Sequence, residues 1–351
     1  MCDVISPTFG LGTFGDVSTD PSGAPVPMHR VLRAVVEQGT LADRVGVDHF
    51  VLGEHHRDDY AISSPDVVLA AVAARTERIT LASGVTVLST DDPVRVYERF
   101  ATLDALSAGR AEIQVGRGSF TESFDLFGYD LADYVVLFED KLGLLAELRT
   151  ERGVTWSGRT RPALHGEQAY PPTERGSLPV WVGVGGSGES VVRTARYGLP
   201  MMLAIIGGPP QRFSSFVELF HTSVAELGTA PNGRLPVGVH SPGFVAESDA
   251  MARDLLFPHF KANRDRIGKE RGWGEMTREQ FETEADTGSL YVGSPETVAQ
   301  RIAETVRTLG IDRFDLKYAN GPQPHAELMG AIELYGTEVV PRVRELLGTE
   351  G

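Results

Sequence analysis

Cysteine is almost missing from this chain. Cys2 is the only one, which excludes an intrachain disulfide and a cysteine-ligated metal centre. No apolar run approaches the roughly 18 residues of a membrane-spanning helix. Basic clusters are also missing: 33 Lys and Arg are spread among 48 Asp and Glu, for a net charge of −15. Nucleic acids and anionic membranes both demand a basic face, so neither is an expected partner. The opening residues Met1-Cys2-Asp3-Val4 offer no basic or apolar stretch of a secretory signal. Internal repeats, low-complexity tracts and linkers are absent, and His29, His165, His221, His259 and His325 show no metal-ligand spacing. With 41% hydrophobic and 23% charged residues, the composition is that of an ordinary globular protein. The expectation is a cytoplasmic protein forming a single domain over residues 1–351, with no metal.

Short apolar segments alternate with longer amphipathic ones. The predicted strands are Thr8–Thr13, His49–Gly53, Ile79–Leu88, Arg110–Val115, Pro179–Val184, Met201–Ile206, Pro236–Val245 and Arg313–Lys317. Between them, helices are predicted at Met28–Val45, Pro65–Arg75, Pro93–Leu106, Tyr134–Arg149, Glu189–Tyr197, Pro209–Leu227, Glu247–Lys269, Pro295–Leu309 and His325–Leu347. Proline opens several of them, Asp91-Asp92 can cap the third, and several end at a glycine before the next strand. Eight strand–helix units predict an α/β fold, a (β/α)8 TIM barrel, with a doubly wound sheet as the alternative. Two insertions interrupt the alternation. One spans 150–178, between strands four and five, and the other spans 268–292 before strand eight, with an extra helix at Arg278–Ala285. Both are expected over the barrel mouth.

Chemistry-bearing residues gather where strands end. The second strand runs into Glu54-His55-His56-Arg57-Asp58, two imidazoles between carboxylates and a guanidinium. The carboxyl ends of barrel strands are where such folds hold their active sites. The fourth strand ends in Gly116-Arg117-Gly118-Ser119, and Arg suits a phosphate through two-pronged hydrogen bonding. The fifth ends in Gly183-Val184-Gly185-Gly186-Ser187-Gly188, formally G-x-G-x-x-G. A dinucleotide site also needs an acidic residue about 20 positions on, and the next strand ends Ile205-Ile206-Gly207-Gly208 without one, so that reading is rejected. What remains is a glycine turn feeding a helix N-terminus, where backbone N–H groups and the hydroxyls of Ser187 and Ser190 can hold an anion.

Taken in order, Leu52-Gly53-Glu54-His55-His56, Ala82–Leu88, Ala108-Gly109-Arg110, Val115–Ser119, Gly183–Ser190, Tyr197–Pro200 and Val292–Val298 resemble the bacterial luciferase-like, FMN-dependent monooxygenase family. The resemblance covers nearly the whole chain. It implies a barrel, reduced FMN as cofactor, and a phosphate on Arg117, Gly185, Gly186, Ser187 and Ser190. It places the isoalloxazine against Gly84 and Val85, joined by a non-proline cis peptide. His55, His56 and Glu54 become the catalytic group, His55 acting near the flavin C(4a) position and Glu54 orienting the pair or capping a backbone N–H. The chain departs from luciferase at Gly116, where the luciferase catalytic subunit carries a reactive cysteine, and around Thr121-Glu122-Ser123, where carboxylate helpers are replaced. Light emission from an aldehyde is therefore not expected.

The resemblance further implies oxygen insertion into a small organic substrate through a flavin hydroperoxide, with dioxygen as co-substrate. His55 would position or protonate the peroxide, as a group titrating near neutral pH. A separate flavin reductase and a homodimer are expected as well. Phe14, Phe120 and Tyr318 are candidates for ring or substrate contact, with core packing as the alternative for each. Glu122 and Asp125 read as a solvated loop, and His240 as either pointing into the barrel or satisfied by neighbours. Two other readings stay open: deazaflavin-dependent hydride transfer on the same fold, and flavin binding without turnover.

Overall fold

The computed structural model describes residues 6–20, 22–230 and 233–348; Cys2 and the opening segment Met1–Val4 lie outside them. Twelve strands are described: β1 (Thr8–Thr13), β2 (His49–Leu52), β3 (Thr80–Ser83), β4 (Thr86–Val87), β5 (Ala111–Gly116), β6 (Val154–Trp156), β7 (Leu164–Glu167), β8 (Val180–Val184), β9 (Met201–Ala204), β10 (Val237–Val245), β11 (Tyr291–Gly293) and β12 (Arg313–Lys317). The α-helices are α1 (Met28–Arg44), α2 (Pro65–Ala73), α3 (Pro93–Leu106), α4 (Glu122–Phe127), α5 (Tyr134–Leu148), α6 (Gly188–Arg196), α7 (Ser214–Leu227), α8 (Asp249–Arg271), α9 (Arg278–Asp286), α10 (Pro295–Leu309), α11 (His325–Leu334) and α12 (Val340–Leu347).

Eight parallel strands close on themselves in the order β1-β2-β3-β5-β8-β9-β10-β12, with β12 pairing back to β1. The expected barrel is present. Closure follows from composition: strands such as Phe50-Val51-Leu52 and Val180-Trp181-Val182 are buried throughout, which suits a sheet covered on both faces. Helix boundaries follow local chemistry. Asp92 caps α3, accepting from the N–H groups of Val94 at 2.9 Å and Arg95 at 3.2 Å. Gly46, Gly198 and Gly310 end α1, α6 and α10 with positive φ, a conformation that favours glycine.

Three details differ from the sequence expectation. The third strand is not continuous over Ile79–Leu88: β3 stops at Ser83, and the Gly84–Val85 peptide is cis before β4 resumes. An additional short strand, β11, pairs with the end of β10. The segment after Phe120 is the helix α4 and not an open loop.

The two insertions occupy different places. The β6–β7 hairpin packs along the outside of α5, where Asp140 accepts from the Thr160 N–H at 3.1 Å. Nearby, Arg161 lies 3.2 Å from Asp92. It joins the helical ring and does not cover the mouth. The mouth is covered by α8, whose last residues Glu270 and Arg271 belong to the second insertion and reach Arg57 and Ser119. Tyr60 donates to Asn263 at 3.3 Å, and the backbone at His259 lies against Gly321 beyond β12. Arg57 reaches Glu270 at 2.5 Å. No helix among the described residues is long and apolar enough to cross a membrane.

Candidate active site

Because every barrel strand runs the same way, the loops after β2, β5 and β8 open at one rim. His55 begins there. Its ring is framed by Phe14 at 4.5 Å, Tyr60 at 4.6 Å and Phe120 at 5.2 Å between centroids. Its backbone N–H is held by Ile62 O at 2.9 Å. Phe14 also stacks on His240, inside the barrel, at 6.2 Å. Burial, with Lys317, Arg57 and His56 adding positive charge nearby, lowers the His55 pKa to about 3. This corrects the expectation of an imidazole titrating near neutrality. The ring is neutral at working pH, so it offers one N–H donor and one acceptor nitrogen.

His56 is turned elsewhere. Its Nε2 meets Glu54 Oε1 at 2.9 Å, and Glu54 Oε2 accepts from the Val87 N–H at 2.9 Å. Both alternatives for Glu54 hold at once: it orients one histidine and satisfies a backbone donor on β4. The carboxylate thus ties the loop after β2 to the strand just beyond the cis peptide. His55, His56 and Glu54 share this rim, but only His55 faces the aromatic pocket.

Around the cis peptide, the packing explains three glycines. A Cβ at Gly84 would sit 2.2 Å from Val51 Cγ1, and one at Gly116 or Gly183 would sit 2.7 or 2.9 Å from the Val85 side chain. Val85 therefore fills the space between β5 and β8 that a cysteine or any larger residue at position 116 would take.

The third cluster joins two loops. Arg117 Nη2 donates to Ser190 Oγ at 3.3 Å, and Ser187 Oγ donates to the same hydroxyl at 2.9 Å. Ser187 also caps α6, accepting from the Ser190 N–H at 3.3 Å. Gly185 and Gly186 face open space: a Cβ at either would meet nothing within 4 Å. The result is a cradle with a guanidinium, two hydroxyls and a helix N-terminus, a donor set that fits a phosphate dianion. The sequence-predicted residues Arg117, Gly185, Gly186, Ser187 and Ser190 come together here.

Sequence reasoning missed several neighbours. Arg193 Nη1 lies 3.4 Å from Ser190 Oγ while its Nε bonds Glu139. Its spacing three after Ser190 on α6 was a usable signal. Tyr134 supports Arg117 from α5, with its ring 5.1 Å from the guanidinium and its hydroxyl 2.8 Å from Gly118 O. Tyr60 and Lys317, which lies 3.3 Å from the buried Asp16, had no sequence signal. Burial pushes Asp16 up and Lys317 down in pKa, each against the pull of the other. Of the aromatic candidates, Phe14 and Phe120 touch His55, whereas Tyr318 is core, its hydroxyl on Gln38 at 2.7 Å. Glu122 keeps its side chain solvent-accessible, as expected of a surface segment, and also bonds Arg57.

A profile of the luciferase-like monooxygenase family matches residues 8–313. The chain belongs to this family. A curated relative, the N-acetyl-S-alkylcysteine monooxygenase of Bacillus subtilis, is 31% identical over 297 residues, 81% of this chain and 85% of the relative. Among solved structures, the oxygenating constituent of 3,6-diketocamphane monooxygenase from Pseudomonas putida, in complex with FMN, aligns with a TM-score of 0.75 at 17% identity. That alignment covers 96% of this chain and 99% of that one. An F420-dependent secondary alcohol dehydrogenase aligns equally well, with a TM-score of 0.75 at 16% identity over 97% and 99% of the two chains. The family's barrel is thus shared by proteins using either of two flavin-type cofactors.

Proposed function

We propose that this luciferase-like protein is a monooxygenase that uses reduced FMN and dioxygen to oxidise a small organic substrate. The observation that carries the reading is the pairing, on one rim, of a phosphate cradle with a half-buried neutral histidine in an aromatic pocket. Arg117, Ser187, Ser190 and the open backbone at Gly185 and Gly186 would hold the FMN phosphate, with Arg193 as a further donor. Gly84 and Val85 would back the ring. Reduced FMN, when bound, supplies the electrons that activate dioxygen.

The chain's own residues contribute placement, dryness and a hydrogen-bond donor. Phe14, Tyr60 and Phe120 exclude water around His55, and a low-dielectric surrounding strengthens any hydrogen bond made there. His55, neutral and framed on three sides, can donate its N–H to a developing oxygen charge and accept a hydrogen bond at its other nitrogen. Glu54 and His56 are positioning residues, holding the loop to Val87. A separate reductase would deliver the reduced cofactor, and a homodimer of single-domain chains is the proposed assembly.

Titrating the protein with FMN and with a deazaflavin, then following dioxygen uptake over a substrate panel, tests the reading. Tight FMN binding and dioxygen-dependent product support it. Preference for the deazaflavin with no dioxygen requirement would point to hydride transfer, and FMN binding with no turnover on any substrate to a carrier.

A further inference from the structure

Beyond His55, a line of stacked groups leads out of the pocket. Phe120 touches His55 on one side, and Arg271 lies 5.3 Å from its centroid. Arg271 is also 5.3 Å from Trp273, and Arg264 sits over the same indole at 3.9 Å. Two guanidiniums and two aromatic faces thus form a shelf where α8 ends above the mouth. Stacking on an aromatic face holds a guanidinium in place and leaves its edge free to donate.

The carboxylates nearby are already engaged. Asp59, Glu122 and Glu270 bind Arg57, and Asp58 and Asp59 bind Arg266. Asp265 takes Lys261 and the Met276 N–H, and Glu284 accepts from the Gly208 N–H at 3.1 Å. Arg271 donates to Ser119 O at 3.1 Å. Neither Arg264 nor Arg271 has an ion-pair partner among the described residues, and Arg264 Nη1 is shielded from solvent with no hydrogen bond. Burial lowers the Arg264 pKa against the pull of Asp265 and Glu284, with Arg271 adding like charge. In a chain of net charge −15, two cations at the rim without a direct ion-pair partner are the local feature that would draw in an anion. Salt screening over about 8 Å keeps the overall negative charge from cancelling them.

We propose that Arg264 and Arg271 select an organic carboxylate as substrate, holding its charged end on the shelf while the apolar body passes Phe120 toward His55. The proposal rests on the reading that this mouth admits the monooxygenase substrate. Each charge-assisted hydrogen bond is worth roughly a 10- to 150-fold gain in affinity.

The test is calorimetric titration of FMN-supplemented protein with straight-chain carboxylates from butyrate to dodecanoate, each beside its matching primary alcohol. At the best-binding length the carboxylate should bind at least about tenfold tighter than the alcohol, and the gap should narrow in high salt. Arg271→Gln and Arg264→Gln should each remove most of that gap while alcohol affinity stays within about twofold. Carboxylate and alcohol binding alike at every length, or an undiminished gap in both variants, would overturn the proposal. FMN affinity read in the same samples separates the two ideas. Failure to bind FMN contradicts the flavin reading, whereas FMN binding without a carboxylate preference contradicts the anion shelf alone.

Discussion

The two ends of the barrel interior differ in what they leave unpaired. Toward the rim, His55 is enclosed by rings and left neutral. The rim also holds the buried ion pair Lys317–Asp16, whereas deeper in the charges close into a network. Arg313 donates to Glu112 at 2.6 Å and to Asp315 at 2.9 and 3.0 Å, Gln114 reaches Asp315 at 3.2 Å, and Trp181 donates to Glu112 at 2.9 Å. Burial works against ionising Glu112, yet Arg313 and His49 outweigh it and hold its pKa below the ordinary range. Gly10 makes room for this network, since a Cβ there would lie 2.2 Å from Asp315 Oδ1. A closed charge network holds strands together but has nothing left to offer a ligand. A neutral imidazole among hydrocarbon rings holds less together and keeps both nitrogens available. The contrast assigns stability to one end and chemistry to the other.

The largest expected effect breaks the network. Arg313→Met leaves Glu112 and Asp315 buried without a counter-charge, and should cost about 3–5 kcal/mol in urea unfolding. FMN affinity of the folded protein should barely change. A loss under about 1 kcal/mol would show that the deep end does not carry the stability assigned to it.

His55→Ala should act in the opposite sense. Product formation should fall by about 100-fold and hydrogen peroxide release should rise, with the melting curve and FMN affinity little altered. Acid should then distinguish the histidines by burial. His240, which burial lowers to about 4, and His55, lowered to about 3, bind protons more readily unfolded than folded. Their contribution to stability is present above the unfolded value near 6.5 and is lost as pH falls toward the folded values, by up to about 1.4 kcal/mol per pH unit for each group. Urea melts between pH 7 and pH 4.5 should show a shallower decline for His240→Asn than for the natural chain; parallel declines would mean that the ring is not kept neutral by folding. The smallest effect is expected at His56→Ala, about tenfold or less on turnover, because His56 works through Glu54. A loss matching that of His55→Ala would erase the distinction between the two histidines.

Much of this architecture was legible because it repeats. Strand–helix alternation, proline at helix starts and glycine at helix ends are local signals, and they marked the barrel nearly residue by residue. The cradle was legible for a related reason: Arg117 and Ser187 each follow a strand directly, so strand order places them side by side. The deep network was not, because Glu112, Arg313 and Asp315 are scattered charges whose pairing exists only once β5 and β12 face each other across the closed barrel. Tyr60 and Lys317 were hidden for the same reason. The position of the 150–178 insertion was misjudged because a hairpin's length says nothing about which surface it lies against; its contacts with α5 and Asp92 decide that.

The central claim is that the rim holds a phosphate between Arg117 and the turn at Ser187, and the direct measurement compares FMN with riboflavin, which lacks the phosphate. In the natural chain FMN should bind far more tightly than riboflavin. Arg117→Ala should weaken FMN by about 10- to 150-fold, the equivalent of roughly 1.5–3 kcal/mol for a hydrogen bond to a charged group, and leave riboflavin nearly unchanged. Equal losses for the two ligands, or no loss for either, would contradict the cradle.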